Sequence, residues 1–156
     1  MGLGTDSIMT NNNLDMFEEM RMAALVQKQR LADPTVLPSA QVLRLATMGS
    51  ARALGMDDRI GSVEVGKAAD LVVVDLRAPH ARPLFRDGGG NVVEQLVWSC
   101  GAADVRHPVT DGAVLMEDRV LQTLDVAEVG DLADREARDL LTRAGVFDRR
   151  FGSGSR

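Results

Sequence analysis

Residues 1–20 read MGLGTDSIMTNNNLDMFEEM. Gly2 to Thr5 predicts the end of a β-strand, and Asp6 then stands at that strand's end, followed by Ser7. The polar step Asn11-Asn12-Asn13 leads into an amphipathic stretch, with Asn12 or Asn13 as the expected N-cap. From Leu14 to about Leu31 the spacing of Leu14, Phe17, Met20, Ala24 and Leu25 predicts a helix with a wide apolar face. Glu18 and Glu19 fall in its first turns, where the helix dipole favours negative charge. A lone strand needs neighbours to pair with, and the helical stretch after it offers none. The N-terminal third therefore reads as the end of something larger.

Working outward, Asp33-Pro34 ends the first helix. Pro38 fits the first turn of a second helix carrying Val42, Leu43, Leu45 and Ala46. Gly49 is expected to interrupt it, and Ala51 to Leu54 to form a third helix closed by Gly55. The texture changes at Asp57. Ile60 to Lys67 alternates apolar residues with polar ones or glycine and predicts a turn-rich β segment. Ala69 to Leu76 reads as a continuous apolar strand, and Val92 to Trp98 fits helix or strand equally. Val105 to Thr110, a turn at Asp111-Gly112, and Ala113 to Met116 predict a β-hairpin. Val120 to Thr123 reads as a further short strand. Val126 to Leu141 predicts a closing helix, and the glycine- and serine-rich end a disordered tail.

Composition excludes several functions. Of 156 residues, 45% are hydrophobic and 26% charged, which suits one ordinary soluble domain. Aromatics make up 3%, too few for a base-stacking surface, and the net charge of −5 lacks the basic face that phosphate backbones need. No nucleic-acid partner is expected. The apolar runs are too short to cross a bilayer and no signal peptide is seen, so neither a membrane partner nor secretion is expected. The lone Cys100 excludes an internal disulfide and fits a cytoplasmic setting. It reads as a buried thiol rather than a nucleophile.

Three stretches carry a resemblance. They are Gly2-Leu3-Gly4-Thr5-Asp6-Ser7 with Asn12 to Met20; Ala46-Thr47 and Gly49 to Gly55 running into Ile60 to Asp75; and Val105 to Gly112. Together they resemble the C-terminal portion of the amidohydrolase superfamily. The first points to its ATZ/TRZ-type branch of chlorohydrolases and methylthioadenosine/S-adenosylhomocysteine deaminases. The resemblance runs from Gly2 to about Ala144.

It implies an α/β fold: the end of a (β/α)8 TIM barrel plus part of a small β-sandwich built from both chain ends. Residues 1–56 would be the last strand and helices of the barrel, 57–123 the sandwich portion, 124–145 a closing helix and 146–156 the tail. The resemblance makes Asp6 both a metal ligand and a catalytic residue at the barrel's C-terminal face, where barrel enzymes keep their chemistry. The metal would be Zn2+ or another divalent ion such as Fe2+. The residue itself agrees, since a strand-end carboxylate is a competent oxygen ligand and proton acceptor. Its plain structural role would be a solvated acid capping the next turn. Asn11 and Asn12 are weighed as substrate contacts, against a capping role that is sufficient for them.

The family's other ligands, a His-x-His pair and single histidines, precede the Gly-Thr-Asp strand, as does its catalytic Glu. Here the only histidines are His80 and His107, in the β-rich part, where they read as surface or sheet residues. The expected function is the C-terminal part of a metal-dependent amidohydrolase that removes ammonia or chloride from a ring carbon of a small molecule, an aminated purine nucleoside or a triazine. The chain alone would then be inactive. The alternatives are a non-catalytic folding or oligomerisation module, a homodimer included, and complementation by a separately encoded barrel segment.

Overall fold

The computed structural model describes residues 1–146. Of the tail expected at 146–156, residues 147–156 lie outside the described residues. Contacts divide the chain into Met1–Arg119 and a second unit that begins at Val120.

The first unit opens on a short helix absent from the sequence expectation, α1 (Ile8–Asn11), and on α2 (Met16–Leu31). Asp15, not Asn12 or Asn13, caps α2: its carboxylate accepts the Phe17 N–H at 2.8 Å. The shift has a local cause. Asn12 is used to end α1, in a left-handed conformation with its N–H on the Ile8 carbonyl, so the cap of α2 falls three residues later. At the far end, Ala32 turns left-handed and the Lys28 ammonium binds the Pro34 and Val36 carbonyls at 2.5 and 2.7 Å.

Pro38 is the cap of α3 (Ser39–Arg44). Gly49 does not interrupt the helical run. A π-helical turn, Leu45–Gly49, carries the helix directly into α4 (Ser50–Ala53). Gly49 serves close approach instead: a Cβ there would lie 2.6 Å from the Met1 carbonyl oxygen. Gly55, at φ +69, closes the run where the sequence expects it.

Gly2 to Thr5 is not a strand, contrary to the expectation, because no strand among the described residues lies alongside it. A side chain replaces the ladder. The Ser50 hydroxyl accepts the Leu3 N–H at 3.0 Å, and its one hydrogen is shared between the Leu3 carbonyl at 2.9 Å and the Leu45 carbonyl at 3.0 Å.

Val92 to Trp98 resolves as helix α5 (Val92–Trp98). Arg21 of α2 donates to the Cys100 carbonyl at 2.7 Å and to the Val97 carbonyl at 3.4 Å, so the end of α5 is closed by another helix. Met20 and Ala24 of α2, Val42 of α3 and Val97 of α5 form the buried core. Phe17, Leu43 and Trp98 pack against it, and the Trp98 indole N–H donates to Ser39 Oγ at 3.0 Å. Leu14 and Leu25, expected on the same apolar face, stay 64% and 49% exposed.

Ile60 to Lys67 forms turns rather than strand. The Lys67 ammonium gathers the loop, donating to the Asp57 carbonyl at 2.6 Å and to Ser62 Oγ at 2.7 Å. Beyond it lies an antiparallel sheet in the order β1 (Leu71–Val74), β2 (Val105–Thr110), β3 (Ala113–Val114). Leu71 faces Val109 and Val73 faces His107, with an irregularity between Val73 and Val74. The β2–β3 turn is the one the sequence predicts: Asp111 and Gly112 both take positive φ, as a two-residue hairpin requires. Val72 and Val73 remain 58% and 50% exposed although β1 is wholly apolar. Strand β4 (Met116–Glu117) comes next in the same unit.

The second unit holds β5 (Val120–Leu121) and α6 (Val126–Arg143). The Asp125 carboxylate caps α6 through the Ala127 and Glu128 N–H groups. Among the described residues, no helix is long and apolar enough to cross a membrane.

Candidate functional site

Asp6 is exposed and ends no strand. It sits in a turn with φ +57, a conformation that costs any residue bearing a Cβ. Its Oδ1 accepts the Ser7 N–H at 2.8 Å, and the Thr5 hydroxyl donates to the Asp6 carbonyl at 3.3 Å. Thr5 and Asp6 line an open depression of about 290 Å³ with Gly4, Thr10, Asn11, Glu18, Glu19 and Met22. Its rim is acidic, because the first turn of α2 brings Glu18 and Glu19 up to the Asp6 turn.

Asn11 lies against this depression. Its amide nitrogen donates to the Thr5 carbonyl at 2.8 Å and to Glu19 Oε1 at 2.5 Å. Both amide hydrogens are thus committed within the chain. Asn12 ends α1 and does not line the depression. Asn13 Nδ2 donates to Glu18 Oε2.

The two histidines lie elsewhere and each meets a carboxylate. His80 Nε2 is 3.0 Å from Asp104 Oδ1, and His107 Nε2 is 3.7 Å from Asp118 Oδ1. Cys100 is fully buried, and burial, followed by the charge of Asp104, pushes its thiol above the ordinary value. That is the environment of an inert thiol, as the sequence predicts.

Among the described residues, no group of three or more His, Cys, Asp or Glu side chains could hold a metal ion. A zinc site takes three or four protein ligands. The carboxylate of Asp6 matches the chemistry of one such ligand, and these residues by themselves do not fit the ion.

Two contacts near the site escape the sequence: the Ser50 hydroxyl on Leu3, and the Asn11 amide between Thr5 and Glu19. Ser50 lies in one of the motifs that carry the resemblance, but with no role of its own, and Asn11 was weighed only as a cap or a substrate contact. The available signal for Asn11 was its position, one short turn after Asp6 and eight residues before Glu19.

The pattern of the Amidohydrolase family matches residues 1–114. The chain is 49% identical over 129 residues to a 5-methylthioadenosine/S-adenosylhomocysteine deaminase of Syntrophobacter fumaroxidans, covering 83% of this chain and 28% of that protein. It is 42% identical over 143 residues to a 5'-deoxyadenosine deaminase of Methanosarcina mazei, covering 92% and 32% respectively. Among solved structures, an adenosine deaminase from Xanthomonas campestris with bound zinc superposes with a TM-score of 0.83 at 43% identity, covering 91% of this chain and 31% of that one. An atrazine chlorohydrolase from Arthrobacter aurescens complexed with zinc gives 0.63 at 28% identity, covering 81% and 26%. The chain thus spans about a third of the length of the relatives it matches.

Proposed function

The chain belongs to the amidohydrolase family, and from that membership we propose that it forms the C-terminal part of a metal-dependent deaminase acting on an aminated purine nucleoside. The observation that carries this reading is Asp6: an exposed carboxylate, held in a left-handed turn at a polar depression, inside the segment shared with deaminases and zinc-bound hydrolases.

In this reading residues 1–56 close a (β/α)8 barrel, 57–123 contribute to its small β-sandwich and 124–145 form a closing helix. Gly2 to Thr5 then pairs as the barrel's last strand, in place of the hydroxyl that holds Leu3 here. Asp6 would supply one oxygen to a divalent ion, zinc by analogy with the neighbours, only together with ligands from elsewhere in the complete protein, and the ion would serve to activate the attacking water. The carboxylate's own chemical task is to accept the proton of the attacking water. Water adds at the ring carbon that bears the amino group, ammonia leaves, and a carbonyl remains. The 156-residue chain alone is inactive. The apolar area left open on Leu14, Leu25, Val72 and Val73 supports this, since each is an apolar position about half or more exposed among the described residues. The complete enzyme works in the cytoplasm, and a homodimer fits the same reading.

A second reading, dechlorination of a triazine, is favoured by the likeness to atrazine chlorohydrolase, at the lower identity of 28%. The test is the intact mass of the native product, its zinc content, and turnover of 5'-deoxyadenosine, methylthioadenosine and atrazine. A barrel adds roughly 250 residues, so the product is expected near about 45 kDa. It should bind zinc and release ammonia from a nucleoside. Release of chloride alone would favour the second reading. A native product of 16.8 kDa without turnover would overturn both and leave a non-catalytic module.

A further inference from the structure

We propose that Asn11 is a positioning residue for Asp6, acting through the Thr5–Asp6 peptide, with Glu19 anchoring the Asn11 amide. The inference rests on the reading of Asp6 as the proton-accepting carboxylate.

The argument starts from the Asp6 backbone. Asp6 at φ +57 has a lower-energy conformation available, and its own Oδ1 on the Ser7 N–H offsets only part of that cost, so a restraint from outside the turn helps to hold it. If the peptide before it rotates, the carboxylate swings away from the depression. The Thr5 carbonyl is the handle on that peptide, and Asn11 holds it at 2.8 Å. The second amide hydrogen of Asn11 goes to Glu19 Oε1 at 2.5 Å, and Glu19 stands on the 16-residue helix α2. The restraint therefore runs from a rigid helix, through one primary amide, to the peptide that aims Asp6.

The chemistry fixes the residue type. Both partners are acceptors, a carbonyl and a carboxylate, so the group between them must donate twice from one atom. This also fixes which end of the Asn11 amide is nitrogen. An aspartate in its place would present oxygen to two oxygens. Within the turn, Oδ1 of Asp6 accepts the Ser7 N–H, and because each carboxylate oxygen has two acceptor sites both oxygens stay open to an ion and to the reacting water. Asn11 thus serves the site without meeting the substrate, and that separates positioning from the substrate contact considered for this residue.

The test uses the zinc-loaded complete enzyme that carries this segment. Asp6→Asn comes first. A kcat that survives it overturns the reading of Asp6 itself, and the positioning proposal with it. A collapse of kcat validates the background. Asn11→Ala is then expected to lower kcat by about 30- to 100-fold, the order that a misplacement of about 1 Å produces, with KM within about threefold. Glu19→Gln keeps an acceptor for the Asn11 amide while removing a rim charge, and is expected to lower kcat by less than Asn11→Ala does. Asn11→Asp should fail like Asn11→Ala. Asn11→Asp combined with Glu19→Gln should fail too, because the pair is reunited but Thr5 still lacks its donor. Hydrogen exchange of the Ser7 amide gives a readout independent of turnover, expected to quicken at least about tenfold in Asn11→Ala and to stay unchanged in Glu19→Gln. A raised KM with kcat intact would make Asn11 a substrate contact and overturn positioning. A lowered melting temperature with normal kcat at low temperature would make it merely structural, and would overturn positioning as well.

Discussion

The carboxylate of Asp15 accepts the backbone N–H of Ala102 at 2.9 Å, joining positions 87 residues apart. Its other oxygen caps α2 at Phe17. One side chain therefore starts the longest helix of the first unit and ties the segment before β2 to it. Asp15→Ala should cost about 1–2 kcal/mol, mostly the lost cap, since water can satisfy the exposed Ala102 N–H. Asp15→Asn keeps a capping oxygen but turns an N–H toward Ala102, so it should lie between. Urea denaturation of the three proteins checks the order Asp, Asn, Ala, and a tie between Asn and Asp would show that the Ala102 bond contributes nothing.

Met20 is the largest side chain in the small core, packed with Ala24, Val42 and Val97. Met20→Ala should cost about 2–5 kcal/mol through lost transfer energy and the residual cavity. Met20→Leu preserves volume and should cost less than about 1.5 kcal/mol. Thermal unfolding followed by circular dichroism distinguishes the two.

The core and the hairpin were legible because they rest on local periodicity and local turn chemistry. Phe17, Met20 and Ala24 mark one helical face, and Asp111-Gly112 is a two-residue turn whatever surrounds it. The ambiguous Val92 to Trp98 was not legible. Its helix is completed by Arg21, which lies in another helix and leaves no mark on the local sequence. The same holds for Gly2 to Thr5. Apolar residues before an acid read as strand, but a strand exists only with a partner, and here Ser50 supplies the hydrogen bonds instead. At the candidate site, the motif offers Asp6 as a candidate, and its place on the depression is what the sequence leaves open. The clamp by Asn11 was not legible, because it depends on α1 folding back and on Asn12 turning left-handed to end it.

Ser50 meets both backbone groups of Leu3 with one hydroxyl, whose hydrogen it shares with the Leu45 carbonyl. Ser50→Ala leaves a half-buried N–H and carbonyl without partners and should cost about 1–3 kcal/mol. The loss should be local, so hydrogen exchange is expected to rise at the Leu3 amide while α5 keeps its protection. A uniform rise across the first unit would mean that the Leu3 segment is part of the cooperative core.

Cys100 offers a clean probe of opening. Its thiol is buried and raised in pKa first by desolvation and then by Asp104. A thiol-specific reagent should label it at least about a hundredfold more slowly in the folded chain than in urea, since both access and thiolate fraction are suppressed. Met20→Ala should speed the labelling, because loss of core stability populates open states. Rapid labelling of the untreated folded chain would overturn the buried placement of the thiol.

Asp75, at the end of β1, adds to the pH dependence of the first unit's stability. Hydrogen bonds from the Arg77 guanidinium, at 2.9 and 2.7 Å, and then from its N–H hold the Asp75 carboxyl well below its ordinary 3.8, and Arg106 adds a further positive charge at 3.1 Å. Arg106 also binds Asp118, lowering that carboxyl in turn. A folded-state pKa below the unfolded one means that the ionised form is favoured by folding. The contribution is fully present above the unfolded value of 3.8 and is lost as pH falls from there through the folded value. Arg77→Ala should therefore lower the urea midpoint by a constant amount between about pH 5 and about pH 8. Below 3.8 the two proteins should converge as Asp75 takes up its proton. The gap should be small and should shrink in high salt, because Arg77 is largely exposed and its pairing with the half-buried Asp75 is screened. A gap that persists unchanged in strong acid would mean that Arg77 acts by packing its stem, not by its charge.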